Sequence, residues 1–212
     1  MYMKLKDLKF PHILLIIYIL LFVICSINPF DRGVWLVENL TVLVVVLFFV
    51  LTYKYFKFSN TAYLLISIFI FMHTIGGHYS FARVPFDFIT NLFGFERNNY
   101  DRFAHFSIGL YAYAMAEFLY VKKIVTKKWA LLLFPIFIIM SLAVSYEWFE
   151  WLFAVIIDPT AGIEILGAQG DIWDAQKDML CDTLGAIIAI ILFYFIGKFK
   201  SNSKISKSKK KK

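Results

Sequence analysis

Cysteine is scarce in this sequence: Cys25 and Cys181 are the only two in 212 residues, and each sits inside an apolar run. With no C-x-x-C pair and no set of spaced cysteines, neither a disulfide framework nor a thiolate metal site can be read. The two fit as small packing residues, and a bridge between them stays open. An A-x-A-like cleavage site is also missing after Lys4, Lys6, Lys9 and the apolar run that follows them, and Ile24 before Cys25 does not suit a lipoprotein signal. The N-terminal run is therefore expected to remain as a first membrane span. Aromatic–basic interleaving of the RNA-binding kind is absent, as is zinc-finger spacing, so the formal charge of +7 does not point to nucleic acid. No internal repeat of the kind that marks many transporters is visible.

Apolar residues dominate what is there. The chain is 60% hydrophobic and 19% aromatic, with a mean hydropathy of +0.70, whereas a soluble domain is about 45–50% apolar. Crossing roughly 30 Å of hydrocarbon takes about 20 helical residues. Six segments meet or approach that length, at about 12–28, 35–53, 61–79, 102–121, 129–157 and 178–197. The expected fold class is an all-α membrane protein, a bundle of about six transmembrane helices. Residues 1–197 form the polytopic domain and 198–212 a basic, disordered tail. The fifth segment is long and carries Pro135 near its start, so it is expected to tilt, kink or run along the interface.

The basic residues orient these spans. The N-terminal segment, the 54–57 and 122–128 loops and the tail hold 17 of the 22 Lys and Arg, and with six spans all four lie on one side. The positive-inside rule makes that side cytoplasmic, with both termini on it. The tail is expected to be drawn to anionic lipid headgroups of the bilayer.

Carboxylates are nearly missing from the cytoplasmic side. Apart from Asp7 and Glu117, 13 of the 15 acids lie at or beyond the outer boundary. Asp171, Asp174, Asp178 and Asp182 recur at the spacing of one helix face and lead straight into the last apolar run. Asp178 and Asp182 open the last span, while Asp171 and Asp174 read as loop or supporting residues. Asp101 and His105 share a face at the start of the fourth span, Glu147 and Glu150 close the fifth, and His73 and His78 end the third around Gly76 and Gly77. Ionisable groups in hydrocarbon are costly, by roughly 2.5–3.5 kcal/mol for a central Asp or Arg, and they usually face the bundle interior. That cost weighs most on His73, His105 and Asp182, one turn inside. Each residue also has an ordinary role open to it, such as a solvated first-turn acid, an i,i+4 pair or a headgroup-level side chain. As a set they suggest one functional site. Glu117 reads as a partner of Lys122 and Lys123, and Gly185 with Ala189 as a packing step.

The runs YDRFAHFSIG (100–109), EWFEW (147–151) and GDIWDAQKDMLCDTLGA (170–186) resemble the YjdF-like family of uncharacterised bacterial inner-membrane proteins, over most of the chain from the third span onward. More distantly the pattern is similar to VanZ-like membrane proteins, which carry D-K-x-x-H-F, a Glu-containing helix end and an Asp-x-x-x-Asn/Asp-x-x-Gly helix start. On that resemblance Asp101, Arg102 and His105 match the first element, Glu147 or Glu150 the second, and Asp178, Asp182 and Gly185 the third. Arg102 stands where Lys is usual and Asp182 where Asn is usual. The resemblance implies a multi-pass protein of the bacterial inner membrane, linked to the cell envelope.

Three functions compete. The first is an enzyme acting at the outer leaflet on a lipid or lipid-linked envelope intermediate. In it His105, oriented by Asp101, serves as acid or base together with Glu147 and Asp182. Arg83, Arg97 and Arg102 bind the anion. A divalent cation is a candidate cofactor, held by residues drawn from Glu147, Glu150, Asp178, Asp182, His73 and His78. The second is an ion-coupled transporter with the carboxylates as a proton or cation site. The third is a non-catalytic module that binds an envelope component or confers resistance.

Overall fold

The computed structural model describes residues 9–157, 166 and 168–196. The basic tail, Asp7 and the Lys4 and Lys6 segment lie outside the described residues.

Local chemistry starts and stops each helix. Helix α1, Phe10–Cys25, begins with a proline in its first turn, where the missing N–H costs nothing. In α2, Arg32–Thr52, the Asp31 carboxylate caps the start by accepting from Val34 N at 2.9 Å. Ser59 does the same for α3, Asn60–Tyr79, through Ala62 N, and Ser80 at φ 57 closes its end. A seven-residue helix α4, Asp87–Phe93, follows and ends on Gly94 at φ 63. Then come α5, Tyr100–Gly109, α6, Tyr111–Val121, and α7, Lys128–Leu152, which runs on as a π-helical turn over Phe153–Ile157. The last helix, α8, is Asp174–Ile196.

Among the described residues there is no strand, and four helices are long and apolar enough to cross a membrane: α2, α3, α7 with its π turn, and α8. At 16 residues α1 is shorter. The segment expected as one fourth span is two helices, broken at Leu110. The break falls where Gly109 is pressed against α8. A Cβ on Gly109 would lie 2.2 Å from the Asp182 carbonyl oxygen, and one on Gly185 would lie 2.0 Å from that of Phe106. The two backbones therefore touch, and α5 packs more extensively on α8 than any other pair of helices packs together. Gly185 is thus a packing residue, as its spacing from Ala189 suggested.

The bundle is built around α3. Of its apolar window 56% is buried, against 28% for α2 and for α7 and 33% for α8. Phe69, Ile70, Tyr111, Ile139, Ile190 and Phe193 form the centre of the core. The outward faces of α2, α7 and α8 stay apolar, with Leu40, Phe137 and Ile191 among their exposed residues, as a surface facing lipid requires. Because the helices alternate in direction, the start of α2, the end of α3, the start of α5, the end of α7 and the start of α8 meet at one end. The other end carries the lysine-bearing 53–59 and 122–127 connections. There Glu117, expected beside Lys122 and Lys123, is instead buried and accepts from Ser59 N at 2.9 Å and from Ser59 Oγ at 2.6 Å. It fastens α6 to the start of α3.

Candidate functional site

Two acid–histidine pairs occupy the acidic end of the bundle. The first joins α2 to α3: His73 Nε2 lies 2.9 Å from Glu38 Oε2, with both side chains about 95% or more buried. The Tyr146 hydroxyl of α7 donates to the same Glu38 oxygen at 3.3 Å. Gly77 makes this approach possible, since a Cβ there would lie 3.1 Å from Glu38 Cβ and 3.0 Å from Asn39 Nδ2. Sequence reasoning counted Glu38 with the outer acids without singling it out, and it missed Tyr146. The available signal was an acid followed by Asn39 inside the long apolar run of α2.

The second pair joins α5 to α8. His105 Nδ1 lies 3.2 Å from Asp182 Oδ2, and Asp182 is 1% exposed. His105 was expected to be oriented by Asp101, four residues away on its own helix. The contact across helices takes precedence because the Gly109–Gly185 crossing brings α8 against α5, while Asp101 turns to an arginine. Asp178, a turn before Asp182, is also buried. Glu147 and Glu150 approach from the end of α7, and one oxygen of Glu147, of Asp178 and of Asp182 is buried without a hydrogen bond.

A clasp of opposite charges closes this end. Arg97 binds Asp101 and Asp174, while Arg102 binds Asp171 and reaches Asp174 at 3.2 Å. Asp174, read from the sequence as a loop or supporting residue, is the first residue of α8, 6% exposed and held by both arginines. Asp171 does lie before the helix, where Lys177 donates to it at 2.6 Å and Trp173 N at 3.0 Å. The Lys177 ammonium, that backbone amide and Arg102 hold the Asp171 carboxyl well below the usual carboxylate range. Arg97 and Arg102, expected as binders of a substrate anion, thus spend their charge on aspartates of the chain itself.

Between the two pairs lies a cavity of about 400 Å³. Its lining includes the polar Glu38, His73, His105, Glu150, Asp178 and Asp182 and the apolar Val45, Phe69, Ile108, Ile139 and Leu142. Of the expected site residues, Glu147 and the clasp arginines Arg97 and Arg102 are not part of this lining, and two more lie elsewhere. His78 faces the Cys25 carbonyl oxygen at 2.8 Å, and Arg83 stacks over the Phe30 ring at 4.0 Å. Cys25 and Cys181 are both free thiols.

Residues 10–199 match the family described as "Predicted membrane protein (DUF2238)". The chain is 30% identical over 182 residues to the inner membrane protein YjdF of Escherichia coli (strain K12), covering 85% of each chain. No solved structure matches. The all-helical bundle, its long apolar helices and the extent of these matches agree: the chain belongs to this family, and it is a YjdF-like, multi-pass membrane protein.

Proposed function

We propose that this protein is an enzyme of the bacterial inner membrane that acts at the extracytoplasmic face on a lipid or lipid-linked envelope intermediate. One observation carries the reading: a single cavity is lined both by acids and histidines and by aliphatic and aromatic side chains. A ligand with a polar head on an apolar chain matches such a mixed lining. The lysine-rich connections at the opposite end support an outward orientation for the acidic end, by the positive-inside rule. They also support six crossings, with α1 as a short first span, α5 and α6 together as the fourth, and a basic tail at the cytoplasmic surface.

In this reading His105 moves the proton. Asp182 holds its Nδ1 side at 3.2 Å, which orients the ring and leaves the other nitrogen to accept and give up the proton. Glu150 and Asp178 line the same space and supply negative charge that steadies an imidazolium. The arginine clasp shapes the mouth of the site and leaves substrate recognition to the cavity walls.

The test is a deletion strain complemented with the wild type or with His105→Ala, and profiled by mass spectrometry for membrane lipids and lipid-linked precursors. One species should accumulate in the deletion strain and in the His105→Ala strain and disappear with the wild type. Identical profiles in all three strains refute the enzyme reading. An ion-coupled carrier is the second reading, favoured by the Glu38–His73 pair buried between α2 and α3 away from the clasp. Proton-driven uptake into liposomes that is abolished by Glu38→Gln would promote it.

A further inference from the structure

The carboxylates around the cavity outnumber the cations available to them. Among the described residues, Arg97, Arg102 and Lys177 engage Asp101, Asp171 and Asp174 at the clasp. That leaves Glu38, Glu147, Glu150, Asp178 and Asp182 with the histidines His73 and His105, and Arg102 approaches Asp178 only at 3.8 Å. Burying carboxylates without compensation is expensive, so a cation or bound protons must accompany them.

Geometry favours a cation at one place. His105, Glu147 and Asp178, from α5, α7 and α8, each offer a ligand atom, and these atoms lie within 4.8 Å of one another. Two further observations point the same way. Asp178 is 5% exposed, and its Oδ1 makes no hydrogen bond. His105 is held through Nδ1 by the nearly inaccessible Asp182, the carboxylate–imidazole arrangement that fixes a metal-binding histidine by its far nitrogen. A second trio, Asp101, Asp174 and Asp178, is equally compact, but Arg97 already binds two of its members. A guanidinium takes the place of an ion there.

We propose that His105, Glu147 and Asp178 bind one divalent transition-metal ion, with Asp182 as the positioning residue for His105. One imidazole and two carboxylates form a mixed nitrogen–oxygen set suited to zinc or manganese, and three protein ligands leave a coordination position open, at a site two of whose ligands, His105 and Asp178, line the cavity. A phosphate or carbonyl oxygen of the substrate would take that position, and the ion would polarise it. The ion would take the far nitrogen that carries the proton in its absence, so with metal bound His105 is a ligand and Glu150, which lines the same cavity, is left to move the proton. As a contributor to chemistry the ion rests on the enzyme reading of the cavity; as a binding site it is measured without substrate.

The experiment uses the full-length chain without an affinity tag, in nanodiscs, stripped with chelator and titrated with Zn²⁺ by calorimetry and with Mn²⁺ by electron paramagnetic resonance. The expected result is one equivalent bound, not displaced by equimolar Mg²⁺. Asp178→Asn and Glu147→Gln should each abolish binding or weaken it severely, and Asp182→Asn should weaken it about 10–100-fold, as loss of an orienting carboxylate does. Glu147→Gln serves if Asp178→Asn fails to elute as a folded monodisperse species. Absence of binding in the wild type, equal competition by Mg²⁺, or unchanged affinity in folded variants overturns the proposal. Metal binding alongside unchanged lipid profiles would leave the site standing and refute the enzyme reading. Changed lipid profiles without metal binding would do the reverse.

Discussion

Glu38 and His73 show what a buried pair demands of its neighbours. They lie 2.9 Å apart between α2 and α3, with the Tyr146 hydroxyl on the same carboxylate. Removing one partner of such a pair leaves a buried charge behind, at a cost of about 3–5 kcal/mol. His73→Leu should therefore lower thermal stability in detergent sharply. Adding Glu38→Gln to it should restore part of the loss, because the stranded carboxylate is then gone. Strictly additive losses in that double-mutant cycle would show that the two residues act independently. The sequence made His73, His105 and Asp182 legible, since an ionisable group one turn inside an apolar run has few places to go. It did not make the partners legible. Asp101 is four residues from His105 and looks like its natural mate, yet the mate is Asp182 on another helix. Pairing across helices depends on how closely backbones approach, and residue spacing along one chain does not contain that distance.

That distance is set at the level of helices by two glycines. At the α5–α8 crossing Gly109 and Gly185 admit backbone against backbone, and an added Cβ on Gly185 would lie 2.0 Å from the Phe106 carbonyl oxygen. Gly185→Ala should push α8 away from α5 and cost about 1–3 kcal/mol of stability, as overpacking typically does. It should also impair function without altering any acid or histidine, by drawing Asp182 off His105. The control is Ile188→Ala on the outward face of α8, where Ile188 is half-exposed; it should leave both stability and function near wild type. Equal thermal stability of Gly185→Ala and wild type would contradict a tight crossing. The long apolar helices were readable from hydropathy within a few residues at most ends. The break at Leu110 was not: Gly109 is a poor helix former, but one glycine in an apolar run marks no break by itself, and its contact with α8 is not written in residues 102–121. The tie from Glu117 to Ser59, the N-cap of α3, is illegible in sequence for a similar reason: the two residues lie far apart along the chain.

For the whole molecule, alternation of direction gathers the acids at one end and the lysine-bearing connections at the other. The proposed orientation puts the acidic end outside the cell. Single cysteines introduced in a chain with Cys25 and Cys181 replaced by serine test it. Lys123→Cys should react with an impermeant maleimide only in opened cells, and Ile172→Cys, at a position 84% exposed, should react in intact ones. The opposite pattern would invert the topology and move the cavity to the cytoplasmic leaflet. Whether the cavity performs chemistry on a lipid-borne substrate is tested most directly at the buried carboxylate that holds His105. Envelope lipids should be compared by mass spectrometry in deletion cells that express wild type or Asp182→Asn, at matched protein levels in the membrane. The lipid species accumulated by the deletion strain should persist with Asp182→Asn, with turnover reduced roughly 10²–10⁴-fold as for a lost acid–base function. Full clearance of that species by Asp182→Asn would contradict chemistry at this site.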